Sequence, residues 1–133
     1  MSKLEKTISE YFKTKPSLVF LALFGSYAKK TANNKSDVDI AVFFQKTHLP
    51  SPFTLISWRE EISALINKDV DLVCLNTASP IIGMQVHKTG KILLLQDERE
   101  YAYYQMALFS DYAELKEVRA PMEKDILKRK LYD

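Results

Sequence analysis

The chain has 133 residues, 47% of them hydrophobic, which suits one domain with a real core and leaves no room for a second substrate domain. Charged residues make up 27% but nearly cancel at a formal +2, so there is no electrostatic ground for nucleic-acid or membrane-surface binding. Cys74 is the single cysteine, so no internal disulfide can form; the apolar runs are too short to span a bilayer, and MSKLEKTISE lacks the apolar centre of a secretory leader, so the expected location is the cytoplasm.

In chain order, Ser2 with Glu5 forms a capping box, and Leu4, Ile8, Tyr11 and Phe12 share one face of a helix over roughly 3–13, stopped by Pro16. Leu18 to Phe24 is near-continuously apolar, the pattern of a strand covered on both faces. Gly25 ends it, a short helix fits 26–30, and TANNKS is turn chemistry. Val38, Ile40, Val42 and Phe44 then alternate as a second strand. Ser51 caps a helix bearing Phe53, Ile56, Trp58, Ile62, Leu65 and Ile66, with Trp58 packing it on the sheet, and 69–75 reads as a third strand. A helix over roughly 80–88 ends at Gly90, a fourth strand covers 91–96, and a last long helix starts near Asp97. The expected fold is a single α/β domain, 1–133, built on a small mixed sheet of about four strands with packed helices. Strand direction is not legible in this pattern.

Two short motifs carry chemistry. Asp37 and Asp39 flank one residue at the mouth of the second strand, where positions two apart share a face and lie about 6.6 Å apart. Their carboxylates can converge on a hard cation such as magnesium, whose shell substrate phosphates would complete. Gly25 and Ser26 offer a turn whose backbone can approach a phosphate, with helix amides and a hydroxyl as donors. Taken alone, an Asp pair is better explained as a solvated turn and a Gly-Ser dipeptide as a helix start. Their combination on two neighbouring strands is specific.

That joint pattern resembles the DNA polymerase β-like nucleotidyltransferase superfamily, whose signature is Gly-Ser followed, after a polar loop, by Asp-x-Asp. The superfamily places a third carboxylate on a later strand. VDLVCL supplies Asp71 there, with Asp69 as a rival at the start of the same run. The stretch VDLVCLNTASPIIGMQVHKTGKILL further resembles the minimal nucleotidyltransferases, the antitoxin half of modules with HEPN-domain toxins. The resemblance implies ATP as donor, two Mg2+ ions held by Asp37, Asp39 and Asp71, nucleotide contacts from Gly25, Ser26 and Lys29, and AMP transfer to a tyrosine hydroxyl of a HEPN RNase toxin. Relatives often continue Gly-Ser-x-Ala-Arg-Gly, where this chain has Lys29 and Lys30; lysine holds phosphate as a point charge rather than a fork. Lys35 is read as a solvated loop residue.

With no acceptor domain in so short a chain, a partner is expected to bring its own hydroxyl. Tyr101, Tyr104, Leu108 and Tyr112 mark one face of the last helix, with Tyr103, Met106 and Phe109 on others. Residues 119–133 read as either a partner-docking arm or a frayed terminus. Two alternatives stand beside the leading expectation: an aminoglycoside-type small-molecule nucleotidyltransferase, and an antitoxin acting by binding alone. His48, His87 and Cys74 suggest no zinc site, and Cys74 reads as a small core residue.

Overall fold

The computed structural model describes residues 1–29, 32–33 and 36–132, with side chains up to residue 117. Lys30 and Lys35 lie outside the described residues. The elements run α1 (Lys3–Lys13), β1 (Leu18–Phe24), α2 (Gly25–Ala28), β2 (Val38–Phe44), a 3-10 turn (Lys46–His48), α3 (Pro52–Ile66), β3 (Val70–Cys74), α4 (Pro80–Thr89), β4 (Lys91–Leu95) and α5 (Glu98–Tyr132). The four strands form one sheet in the order β3-β2-β1-β4. β1 is antiparallel to both β2 and β4, while β2 and β3 run parallel.

Local chemistry explains the boundaries. Ser2, Ser51 and Ser79 each cap a helix by accepting a hydrogen bond from an amide three residues on, and Pro52 and Pro80 occupy first helical positions, where a missing N–H costs nothing. Asn67 ends α3 in the left-handed conformation, φ 53°. Gly90 follows α4 for a different reason. Its φ is −80°, and a Cβ there would stand 2.3 Å from the Val86 carbonyl oxygen.

Each face of the sheet is covered. Val38, Ile40, Val42 and Phe44 of β2 point to one side, where Ile8 and Phe12 of α1 and Ile62 of α3 complete a fully buried cluster. Trp58 packs there edge-on to Phe12 and against Phe44. The intervening residues Ala41 and Phe43 face the other side with Val19, Phe20, Ala22, Leu75 and Val86. Tyr104 of α5 lies over Phe43 and Phe20 there, and burial pushes its phenol up to about 12. All of β1 is buried, as its composition requires of a central strand.

Several limits differ from the sequence expectation. β3 begins at Val70 rather than Asp69, and β4 ends at Leu95. In α3 the inward residues are Trp58, Ile62 and Ile66, spaced by four, which leaves Phe53 85% exposed and Leu65 60% exposed on the outer faces. The last helix, to which the sequence assigned no end, spans Glu98–Tyr132.

Candidate active site

β1 ends at Phe24 and the chain turns straight into α2. Gly25 has φ +68°, in the left-handed region, and a Cβ there would stand 2.2 Å from Asp39 Oδ2. Glycine is thus required twice, for the turn and for the space. The sequence assigned that space to an approaching phosphate; in the structure the Asp39 carboxylate stands against it. The residue preceding α2 is Phe24, which offers no side-chain cap, so Ser26 sits inside the first turn rather than at the N-cap. Lys29 is exposed at the other end of the helix, where its N–H donates to the Gly25 carbonyl (3.2 Å).

Strand register brings the rest of the site to Asp39. It is aligned with Phe24 across the antiparallel β1 pair and with Asp71 across the parallel β3 pair. Neighbouring strands lie about 4.8 Å apart, and aligned residues share a face, so Asp39 and Asp71 stand side by side. Alternation puts both on the face covered by α4 and α5, at the open end of the sheet. Asp37 lies two residues upstream, just before β2, and is exposed, as is Asp71. Burial, followed by the negative charges of Asp71 and Asp37, pushes the Asp39 carboxyl above its ordinary value. Asp69 precedes β3, and its carbonyl accepts the Val38 N–H at 2.9 Å, which pins the register of the two acidic strand ends.

Three carboxylates supply the hard oxygen donors that magnesium takes, and the repulsion felt at Asp39 is the kind a cation relieves. The donor set fits the ion chemically. As the side chains stand, no three acidic, histidine or cysteine groups among the described residues close on a single point. Closure would turn the exposed Asp37 and Asp71 side chains toward Asp39.

Beside Asp37 opens a polar cleft of about 1000 Å³ that sequence reasoning missed, lined on its other wall by α3 and the turn into β3. Asn67 leaves a signal in the sequence as a helix-ending residue. Nothing distinguishes Arg59 or Ser63 from ordinary surface positions, because their proximity to Asp37 exists only after folding. Lys68 reaches from this cleft toward α2, its ammonium 5.8 Å from the centre of the Tyr27 ring.

Acidic strand ends beside a glycine turn, on a mixed sheet covered on both faces, are the arrangement of a nucleotidyltransferase. The chain belongs to the polymerase beta nucleotidyltransferase family, whose model matches residues 6–99, a span holding Gly25, Ser26, Asp37, Asp39 and Asp71. Among individual proteins it is similar to the protein adenylyltransferase MntA of Shewanella oneidensis, 33% identical over 98 residues that cover 71% of this chain and 68% of the relative. Its fold matches a crystal structure of a toxin–antitoxin with AMP-PNP, with TM-score 0.82 and 27% identity over 92% of this chain and 98% of that one. It also matches a structure of tri-AMPylated Shewanella oneidensis HEPN toxin in complex with MNT antitoxin, with TM-score 0.77 and 26% identity over 93% and 96% of the two chains. Among the described residues, no helix is long and apolar enough to cross a membrane.

Proposed function

We propose that this chain is an antitoxin that neutralises a partner HEPN RNase toxin by transferring AMP from ATP to one of its tyrosine hydroxyls. The observation that carries the reading is the alignment of Asp39 with Asp71 on one side and with the β1 end on the other, where Gly25 packs against it. That alignment supports a reading in which acidic strand ends and a glycine turn act together. The likeness to toxin–antitoxin structures over nearly the whole chain supports a protein as acceptor.

Each residue then has a task. Asp37, Asp39 and Asp71 would hold two Mg2+ ions, which when bound neutralise triphosphate charge and lower the pKa of an acceptor hydroxyl. The first-turn amides of α2 and the Ser26 hydroxyl bind the phosphates that leave. Gly25 leaves room for the Asp39 carboxylate beside that turn. Lys29 adds positive charge at the far end of the turn. The acceptor oxygen forms a bond to the α-phosphorus as the α–β phosphoanhydride bond breaks; pyrophosphate departs, and Asp71 takes the hydroxyl proton.

Intact-mass measurement tests this directly: a purified HEPN-domain partner is incubated with ATP, magnesium and the purified protein. A gain of one or more AMP units on the toxin, mapped to tyrosine, is expected. Neutralisation that persists in Asp39→Asn with no mass change would show instead an antitoxin that works by binding alone.

A further inference from the structure

Asp39 has different neighbours on its two flanks. On the β1 flank stand Gly25 and the start of α2; on the β3 flank stands Asp71. In phosphoryl transfer the attacking and leaving oxygens lie roughly in line through phosphorus, on opposite sides. If pyrophosphate leaves over the Gly25–Ser26 turn, the acceptor hydroxyl must arrive from the β3 flank. β3 is an edge strand, so among the described residues no further strand closes that side.

The cleft beside Asp37 opens at this edge, between α3 on the opposite face of the sheet and the turn into β3, and meets the carboxylate end of the strands at Asp37 and Asp69, with a volume of about 1000 Å³. Ligand pockets for whole small molecules run from roughly 300 to 1,000 Å³, so the cleft has room for several residues of an extended segment. Its lining argues about what lies in it. Among the described residues that line it, Ala64 and Val70 alone are apolar and none is aromatic. An adenine ring would find no aromatic partner there, only the Arg59 guanidinium. A polypeptide would find charges of both signs on Arg59, Lys68 and Asp69, and the side-chain amide of Asn67. Ser63 shapes the wall by donating to the Lys68 carbonyl (2.5 Å), which holds the turn in place.

We propose that this cleft seats the acceptor segment of the protein substrate, and that the tyrosine hydroxyl reaches the acidic cluster past Asp69 and Asp37. The proposal rests on the adenylyltransferase reading and assigns the two substrates to opposite flanks of one carboxylate. Asp37 apart, the cleft residues bind the acceptor and take no part in the chemistry, so they act on the affinity for protein and not on that for nucleotide.

The test separates those affinities. Ala64 is exposed on α3, so Ala64→Trp fills the cleft without entering the core. Among the described residues Arg59 makes a long, exposed contact to Glu60 (3.9 Å), so Arg59→Glu reverses a lining charge with little risk to folding. AMP transfer to the purified HEPN protein is measured against toxin concentration, and ATP binding is measured by calorimetry without toxin. Both variants are expected to raise KM for the toxin about tenfold or more while ATP affinity stays within about twofold. A toxin KM unchanged in both variants, with the wild-type protein active, overturns the cleft assignment alone. Loss of ATP affinity matching the loss of transfer also overturns it, by making the cleft the nucleotide seat. No transfer by the wild-type protein overturns the adenylyltransferase reading on which it stands.

Discussion

Replacing Gly25 by alanine adds one methyl group and tests the packing on which the site is built. An alanine at φ +68° pays the left-handed penalty, about 1–2 kcal/mol. Its Cβ would also stand 2.2 Å from Asp39 Oδ2 and 3.2 Å from Asp39 Cγ, so the carboxylate must rotate away. Forcing a side chain off its rotamer costs about 0.5–1.5 kcal/mol, which brings the total to about 2–3 kcal/mol. For a domain of this size that is a fall in Tm of roughly 8–12 °C. A double-mutant cycle isolates the contact: in an Asp39→Ala background the carboxylate is gone and Gly25→Ala should cost only the backbone penalty, leaving a coupling of about 1 kcal/mol. Thermal and urea unfolding of the four proteins give these values. Since a shift of about 1 Å in a positioned group can cost about 100-fold, AMP transfer by Gly25→Ala should fall by about that factor. A loss below 0.5 kcal/mol, or an equal loss in both backgrounds, would refute the claim that Gly25 is glycine to make room for Asp39.

Asp39→Asn should abolish AMP transfer and leave the fold intact; normal turnover with ATP and magnesium would remove Asp39 from the chemistry. The same variant tests the repulsion. Because the Asp39 carboxyl titrates above its ordinary 3.8 in the fold, its charged form is disfavoured there, and the penalty is absent at acid pH and grows as pH rises through the raised value. Metal-free wild-type protein should therefore lose stability relative to Asp39→Asn over that window, and melting curves that diverge in the other direction would contradict the assigned cause. Ser26→Ala should weaken ATP binding several-fold in calorimetry, and unchanged affinity would deny the hydroxyl a phosphate contact. Magnesium at about 100 times its dissociation constant should stabilise the protein by about 2.7 kcal/mol, reversed by chelator and lost in Asp37→Asn/Asp39→Asn. A double variant that still responds to magnesium would place the ion elsewhere.

Much of the site could be seen before folding because it is built on strand ends. The alternation of Val38, Ile40, Val42 and Phe44 sets which side of β2 Asp39 occupies, and the same alternation in VDLVC separates Asp71 from Cys74. The glycine was also visible, though its reason was not: the group it makes room for lies on another strand. The cleft left almost no trace, since Arg59, Asn67 and Lys68 belong to α3 and its end while Asp37, on the facing wall, comes from just before β2. α3 shows a related limit. Its apolar residues mark a helix, but only the packing of α1 and the sheet decides that Ile62 is buried while Phe53 is 85% exposed.

Period and punctuation in the chain determined the elements, because a capping serine, a proline or a run of β-branched residues acts on its own few neighbours. They also determined which residue types could do chemistry, since Gly-Ser and Asp-x-Asp are local. Strand direction and order were decided only by the tertiary structure. Antiparallel pairing sets Phe24 against Asp39 and parallel pairing sets Asp71 beside it. Proximity between residues dozens of positions apart is a property of that packing, and so the acidic cluster, its raised carboxyl and the cleft beside it exist only in the folded chain.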